Sequence, residues 1–180
     1  MQTKRTKWKE LNWKTEHSSL VFLDESSVNI DMTRRYGRAI GKVRVHCSTP
    51  LNTAPTQTVL ASVRLNGQTI YTMYSGGTTG AHFLDYLKNL LISMLHQGDI
   101  VVIDSMRSHH VKHYARRRDS TLSAAIQSEF EPDEMMWSKL KAILRKMGCR
   151  IAALLPLLVV QALTLVSPND CMGWFAANGY

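Results

Sequence analysis

Ile100-Val101-Val102-Ile103-Asp104 decides the fold, because four apolar β-branched residues in a row end on an aspartate. Such a run predicts a strand that is buried on both faces of a sheet. A second apolar run, Val21-Phe22-Leu23, also ends on an acidic residue, Asp24. Adjacent strands would place both carboxylates at one edge, so the sequence predicts an α/β fold built around these two strands.

The segments around this pair predict the rest of a mixed sheet flanked by helices. Asn66-Gly67 separates two strand-like runs, residues 58–65 and 69–74, and is the strongest short signal for a β-hairpin. Ser167 and Asp170 form a capping-box pattern at the start of a last short helix. The other predicted elements are a strand near residues 43–47 and helices over residues 81–95, 135–147 and 156–166.

Length and composition predict one basic domain that acts in the cytoplasm. The 180 residues carry 22 Lys and Arg against 14 Asp and Glu, a net charge of +8. This excess favours a polyanion such as DNA, although membrane surfaces and acidic proteins attract basic chains too.

Three scattered cysteines without a C-x-x-C pair suggest reduced thiols. Residues 1–13 contain no apolar signal or anchor, and residues 151–166 are shorter than the roughly 20 that a membrane span needs, so we expect no membrane partner.

A helix that begins near Glu134 suggests a third carboxylate for the edge that holds Asp24 and Asp104. Three carboxylates in close contact repel one another unless cations neutralise them, and hard oxygen ligands select Mg²⁺ or Mn²⁺ over zinc. Two such ions roughly 4 Å apart suit in-line phosphodiester displacement. The alternative is that an aspartate at a strand end serves only as a turn or cap residue, and spacing alone leaves both interpretations open.

Several stretches of the chain carry a family resemblance when they are taken together and in order. They are Val21-Phe22-Leu23-Asp24-Glu25-Ser26, residues 32–39, Leu65-Asn66-Gly67, residues 98–104 with His109, Pro132-Asp133-Glu134, residues 137–141 and residues 174–180. They resemble the mariner-type insertion-sequence transposases of bacteria, a family with a DDE catalytic triad on an RNase H-like fold. The resemblance covers nearly the whole chain.

The resemblance implies a role for three acids. Asp24, Asp104 and Glu134 would form the catalytic triad and bind two Mg²⁺ or Mn²⁺ ions, with Glu25 and Asp133 as neighbours and not ligands. The implied reaction is metal-dependent cleavage of DNA and transfer of the cut strand. The implied partners are the ends of the element and the target DNA, with a homodimer assembled on DNA.

Residues 115–131 depart from the family, which usually has a strand and a Tyr-Ser-Pro turn where this chain is rich in Arg, Ser and Ala. One core strand is therefore a candidate for loss. Ser105 replaces the usual Asn, and only 29 residues separate Asp104 from Glu134, fewer than in typical relatives. The second interpretation is thus a decayed, non-catalytic remnant that binds DNA, and a third is another RNase H-like nuclease that acts on RNA or branched DNA.

We interpret residues 1–19 as a basic linker remnant and residues 20–180 as the catalytic domain. The chain starts 23 residues before Asp24. We therefore expect the helix-turn-helix module of relatives to be lost or encoded in a separate upstream frame. This polypeptide alone is expected to bind DNA through phosphates, with little sequence preference.

Overall fold

Five strands form one mixed sheet in the computed structural model, which describes residues 17–34, 36–49, 55–103, 123–126 and 132–180, with residues 17 and 123–126 as backbone only. After a 3-10 turn at His17–Ser19, the strands are β1 (Leu20–Val28), β2 (Gln57–Arg64), β3 (Thr69–Ser75), β4 (Ile100–Ile103) and β5 (Ser123–Ile126). Their order is β3-β2-β1-β4-β5. β2 is antiparallel to both of its neighbours, whereas β1, β4 and β5 run parallel. The predicted α/β mixed sheet is confirmed.

β1 continues past the point where the sequence predicted its end. It pairs with β4 only as far as Leu23↔Ile103, whereas its antiparallel pairing with β2 continues to Val28. The prediction that the strand ends at Asp24 is therefore wrong, because the ladder with β2 supplies partners for the following residues. Asp24 lies inside β1, at the point where the parallel pairing stops.

β5 occupies the part of the chain where one core strand was a candidate for loss. Ser123–Ile126 pairs in parallel with β4 along its whole length, from Ile100↔Ser123 to Ile103↔Ile126. The prediction of a missing strand is therefore wrong. The sequence concealed this strand because Ser-Ala-Ala-Ile has little apolar alternation, while the hydrogen bonds of a ladder are made by the backbone and do not need large side chains.

The strand predicted near residues 43–47 is not present. Residues 36–49 form no strand and are all exposed. Their β-branched side chains favour a strand, but this preference has little effect without a partner strand and a buried face. The guanidinium of Arg150 donates hydrogen bonds to the backbone oxygens of Ile30, at 3.4 Å, and Ser48, at 3.3 Å. Arg150 thus holds the chain at Ile30, before this exposed segment, and at Ser48, near its end.

The hairpin predicted at Asn66-Gly67 is confirmed by β2 and β3. The backbone N–H of Arg64 donates to the carbonyl of Gln68 at 3.0 Å and closes the turn. Gly67 has a φ of +85°, which residues with a Cβ rarely adopt. A Cβ at this position would also lie 3.0 Å from the backbone nitrogen of Pro168. The turn therefore requires glycine for its own conformation and for its packing.

Four helices cover the sheet in the described part of the chain. Helix α1 (residues 80–94) comprises Gly80–Tyr86, a π-helical stretch Leu87–Leu91 and a final turn Ile92–Met94. The others are α2 (Pro132–Met147), α3 (Leu155–Thr164, after a 3-10 turn at Ala152–Leu154) and α4 (Pro168–Ala177). All four predicted helices are confirmed, as is the capping box of Ser167 and Asp170. The sequence did not indicate the π-helical stretch.

The sheet separates two apolar clusters, because successive side chains of a strand point to opposite faces. Leu20 and Phe22 lie in one cluster with residues of α2, α3 and α4. Val21 and Leu23 lie in the other cluster with residues of α1. Asp24 continues the alternation of Leu20 and Phe22, so it lies on the face of β1 that α2 covers.

Helix α3 belongs to the core. Its buried residues are Leu155, Val159, Ala162 and Leu163. Among the residues that the structure describes, no single helix is long and apolar enough to cross a membrane. Ala152–Thr164 and Pro168–Ala177 satisfy the length and composition of a span only when taken together, and a bend of 75° separates them.

Candidate active site

Asp24 is the first of the three acids that the resemblance assigns, and β1 holds it half-buried where the pairing with β4 stops. Its carboxylate accepts a hydrogen bond from the indole N–H of Trp137, with 2.9 Å between Nε1 and Oδ2. Trp137 lies in the second turn of α2 and is only 5% exposed. The bond joins residues 113 positions apart and attaches the beginning of α2 to β1 at Asp24.

Asp104, the second assigned acid, lies outside the described residues. It directly follows Ile103, the last residue of β4. The register pairs Leu23 with Ile103, so the two strands reach the positions before Asp24 and Asp104 side by side. The structure thus describes how both strands approach this edge, together with one of the two aspartates.

Glu134, the third assigned acid, lies in the first turn of α2 as predicted and is exposed. It precedes Trp137 by three residues, and helical residues at this spacing are neighbours with about 5–6 Å between their Cβ atoms. The hydrogen bond of Trp137 therefore attaches the first turn of α2, which carries Glu134, to the side chain of Asp24. The adjacent Asp133 is 1% exposed, and its Oδ1 accepts the backbone N–H of Glu134 at 3.1 Å. One helix start thus presents an accessible acid and a buried one.

The chemistry of these side chains fits a divalent cation. Carboxylate oxygens suit Mg²⁺ or Mn²⁺ better than zinc, and the indole that bonds to Asp24 is a neutral donor, so it leaves the negative charge in place. Among the described residues, no group of three or more His, Cys, Asp or Glu side chains could hold a metal ion. Asp104 is not among those residues, so the complete ligand set stays a prediction.

A second charged cluster lies at the opposite end of the strands, where β1 and β4 begin. Arg64 at the end of β2 and Asp99 directly before β4 form an ion pair in which each side chain is 5% exposed. Arg64 also donates to the backbone oxygen of Met94 at 2.8 Å, and Asp99 accepts the backbone N–H of His96 at 2.5 Å. Burial alone would raise the pKa of Asp99, but the hydrogen bonds from Arg64 and His96 hold that pKa below its usual value.

The Arg64–Asp99 pair has a structural role, because it joins β2, α1 and β4 at a distance from the acids. Val21 pairs with Arg64, which places the pair three strand residues, or roughly 10 Å, from Asp24. No sequence pattern links the two residues, which are 35 positions apart. Sequence reasoning also missed the contact of Trp137. The one available signal was that a buried indole N–H requires a hydrogen-bond partner.

Comparison with known families identifies one that matches most of the chain. The sequence profile of the DDE superfamily endonucleases matches residues 19–152. Comparison with curated protein sequences found no match.

Solved structures with a similar fold include several of the mariner transposase Mos1. The Mos1 paired-end complex with the left transposon end has a TM-score of 0.76 at 12% identity, and the match covers 98% of this chain and 57% of that chain. The Mos1 paired-end complex with Mn has a TM-score of 0.69 at 12% identity, with 99% and 61% covered. The Mos1 catalytic domain has a TM-score of 0.53 at 12% identity, with 99% and 91% covered. This chain therefore spans less than two thirds of the Mos1 chains in these complexes, and the likeness is one of fold.

Proposed function

Because the chain belongs to the DDE superfamily of endonucleases, we propose that it is a transposase catalytic domain that cuts DNA and joins the cut end to a target. The observation that carries the proposal is the hydrogen bond from Trp137 to Asp24. This bond brings the helix start that bears Glu134 to the strand that bears the first aspartate. The Mos1 structures with transposon-end DNA and with Mn support the same function.

In this proposal Asp24, Asp104 and Glu134 together hold two Mg²⁺ or Mn²⁺ ions. The register of β1 and β4 supports it. Asp24 and Phe22 are two positions apart in β1, so they share a face of the strand. Asp104 follows Val102 by two positions, so it would share the face of Val102 if the alternation of side chains along β4 continued by one residue. Phe22 and Val102 both belong to the cluster that α2 covers. The three acids would then meet between this edge of the sheet and the beginning of α2.

The protein's own contribution is to hold these acids in place. When bound, the divalent ions activate an attacking water or 3′-hydroxyl and stabilise the leaving oxygen in an in-line displacement. Asp24 and Glu134 lie on a strand and a helix, which keep their spacing more constant than loops would. The exposure of Glu134 leaves this side of the site open to a DNA strand.

DNA is the substrate and the main partner in this proposal. The net charge of +8 favours a polyanion, and Arg145 and Lys146 add positive charge in the last turn of α2. We extend the proposal to the two element ends and the target, brought together by a homodimer. A helix-turn-helix DNA-recognition region would select the ends. A bacterial insertion-sequence origin and action in the cytoplasm belong to the same proposal.

Nicking of supercoiled plasmid by the metal-free full chain, with and without added Mn²⁺, tests the proposal. The chain is expected to nick only with the metal. Asp24→Asn, Asp104→Asn and Glu134→Gln should each lower the rate at least about 100-fold, because each removes the charge of a ligand. Glu25→Gln is the matched control, since it neutralises the next carboxyl of β1, which points to the opposite face, and it should keep the full rate.

Retention of DNA without nicking in Mn²⁺ or Mg²⁺ would overturn the enzymatic proposal in favour of the non-catalytic remnant. The presence of β5 already removes one reason for that interpretation. If Asp133→Asn abolished nicking while Glu134→Gln did not, the third ligand would be the buried acid and the reaction would stand.

A further inference from the structure

We propose that Trp137 is a positioning residue that fixes the orientation of the Asp24 carboxylate for metal binding. The inference rests on the proposed function and adds a side chain to the three acids. Its basis is the bond from Nε1 of Trp137 to Oδ2 of Asp24, whose 2.9 Å is the usual length of an N–H···O hydrogen bond.

The core holds the indole in one orientation. Trp137 is 5% exposed and lies in the same buried cluster as Met136 and Leu140. A side chain in a close-packed core keeps its rotamer, so the direction of its N–H is set by the packing of α2 on the sheet. The terminal torsion of an aspartate is broad when nothing restrains it. The bond from Trp137 therefore restricts the directions in which the oxygens of Asp24 can meet a cation.

The chemistry of indole suits this task. Its N–H is neutral and can only donate. A lysine or arginine in its place would compete with the metal for the charge of Asp24, and a hydroxyl could rotate and accept as well as donate. Outer partners that orient metal ligands typically contribute about 10–100-fold to metal affinity or activity. A loss of this size is readily measured.

The competing explanation is that the bond only satisfies a buried indole, since buried tryptophan N–H groups usually find a partner. In that case its removal would affect the stability of the protein but not its affinity for metal. The two explanations therefore differ in the dissociation constant of the folded protein for Mn²⁺, which can be measured without any reaction taking place.

The test is a titration of Mn²⁺ into the metal-free full chain, with the free ion followed by electron paramagnetic resonance. Trp137→Phe keeps an aromatic ring and removes the donor. It should weaken Mn²⁺ binding about 10-fold or more, and raise the Mn²⁺ concentration for half-maximal nicking by a similar factor. Trp174→Phe is the matched control, because Trp174 is 9% exposed in the same cluster, and it should change neither quantity.

A second variant separates the hydrogen bond from packing. Trp137→benzothienylalanine keeps the shape of the ring and places sulfur where the N–H stood, so it should weaken Mn²⁺ binding as much as Trp137→Phe does. Unchanged Mn²⁺ affinity in both variants would overturn the inference and leave the proposed function intact. If the unaltered chain bound no Mn²⁺, or bound it equally well after Asp24→Asn, the proposed function would fail and the inference with it.

Discussion

Asp99→Asn should destabilise the protein strongly, because it breaks a charge pair that water hardly reaches. The side chains of Arg64 and Asp99 are each 5% exposed. Arg64 also donates to the backbone oxygens of Ser18, in the turn before β1, and Met94, at the end of α1, so its charge cannot move to solvent without breaking these contacts. Removal of one partner of a buried pair typically costs about 3–5 kcal/mol. With about 2–4 °C per kcal/mol for a domain of this size, the Tm should fall by about 6–20 °C.

Urea unfolding at pH 7, followed by tryptophan fluorescence, measures this loss as a change in the free energy of unfolding. Lys139→Met is the matched control, because the side chains of Lys139 and Asp170 are 32% and 26% exposed and such a pair contributes about 0–1 kcal/mol. The double variant Arg64→Leu with Asp99→Leu should lose less free energy of unfolding than the sum of the losses in the two single variants, because it leaves no buried charge unpaired. Equal losses for Asp99→Asn and Lys139→Met would refute the reasoning that burial sets the cost.

Asp170→Asn should flatten the acid limb of the Tm profile. Hydrogen bonds with Lys139 and the helix cap lower the pKa of Asp170 from 3.8 to about 2. The ionised carboxylate therefore stabilises the fold fully above about pH 4, and this stabilisation is lost as the pH falls to 2. The loss is on the order of 1 kcal/mol after allowance for solvent. Gly67→Ala should lower the free energy of unfolding by about 1–3 kcal/mol in urea titrations. An alanine is strained at the left-handed φ of this position, and its Cβ would contact the backbone of α4. An unchanged midpoint would contradict this. Arg150→Ala should speed tryptic cleavage within residues 36–49 several-fold on gels, because it removes the hydrogen bonds that hold the chain at Ile30 and at Ser48. An unaltered cleavage rate would show that these bonds do not restrain the segment.

Several elements of the fold could be predicted because their signals are local. Ile100–Ile103 is a continuous apolar run, which is typical of a strand with both faces buried. Asn66-Gly67 supplies the conformation that a tight hairpin requires. β5 had no such signal, since Ser123–Ile126 is held by backbone bonds to its neighbour. The length of β1 likewise depended on its partner β2 and not on its own apolar run.

The candidate site also has features that the sequence predicted and features that it did not. Family resemblance named the three acids, and the structure bears out that Asp24 lies on a strand and Glu134 in the first turn of a helix. Their role in metal binding stays a prediction. The sequence did not indicate that Asp133, next to Glu134, is buried while Glu134 is exposed. Which residues of a helix are covered depends on the surface that the helix packs against.

The chain by itself therefore determined its apolar strands, its helices and the identity of its acidic residues, because these follow from side chains a few positions apart. Tertiary structure alone decided that Trp137 bonds to Asp24 and that Arg64 pairs with Asp99. These contacts join positions 113 and 35 residues apart, and they exist only once the helices and the sheet have packed together. Packing sets which buried donor meets which acceptor, and no local pattern encodes that choice.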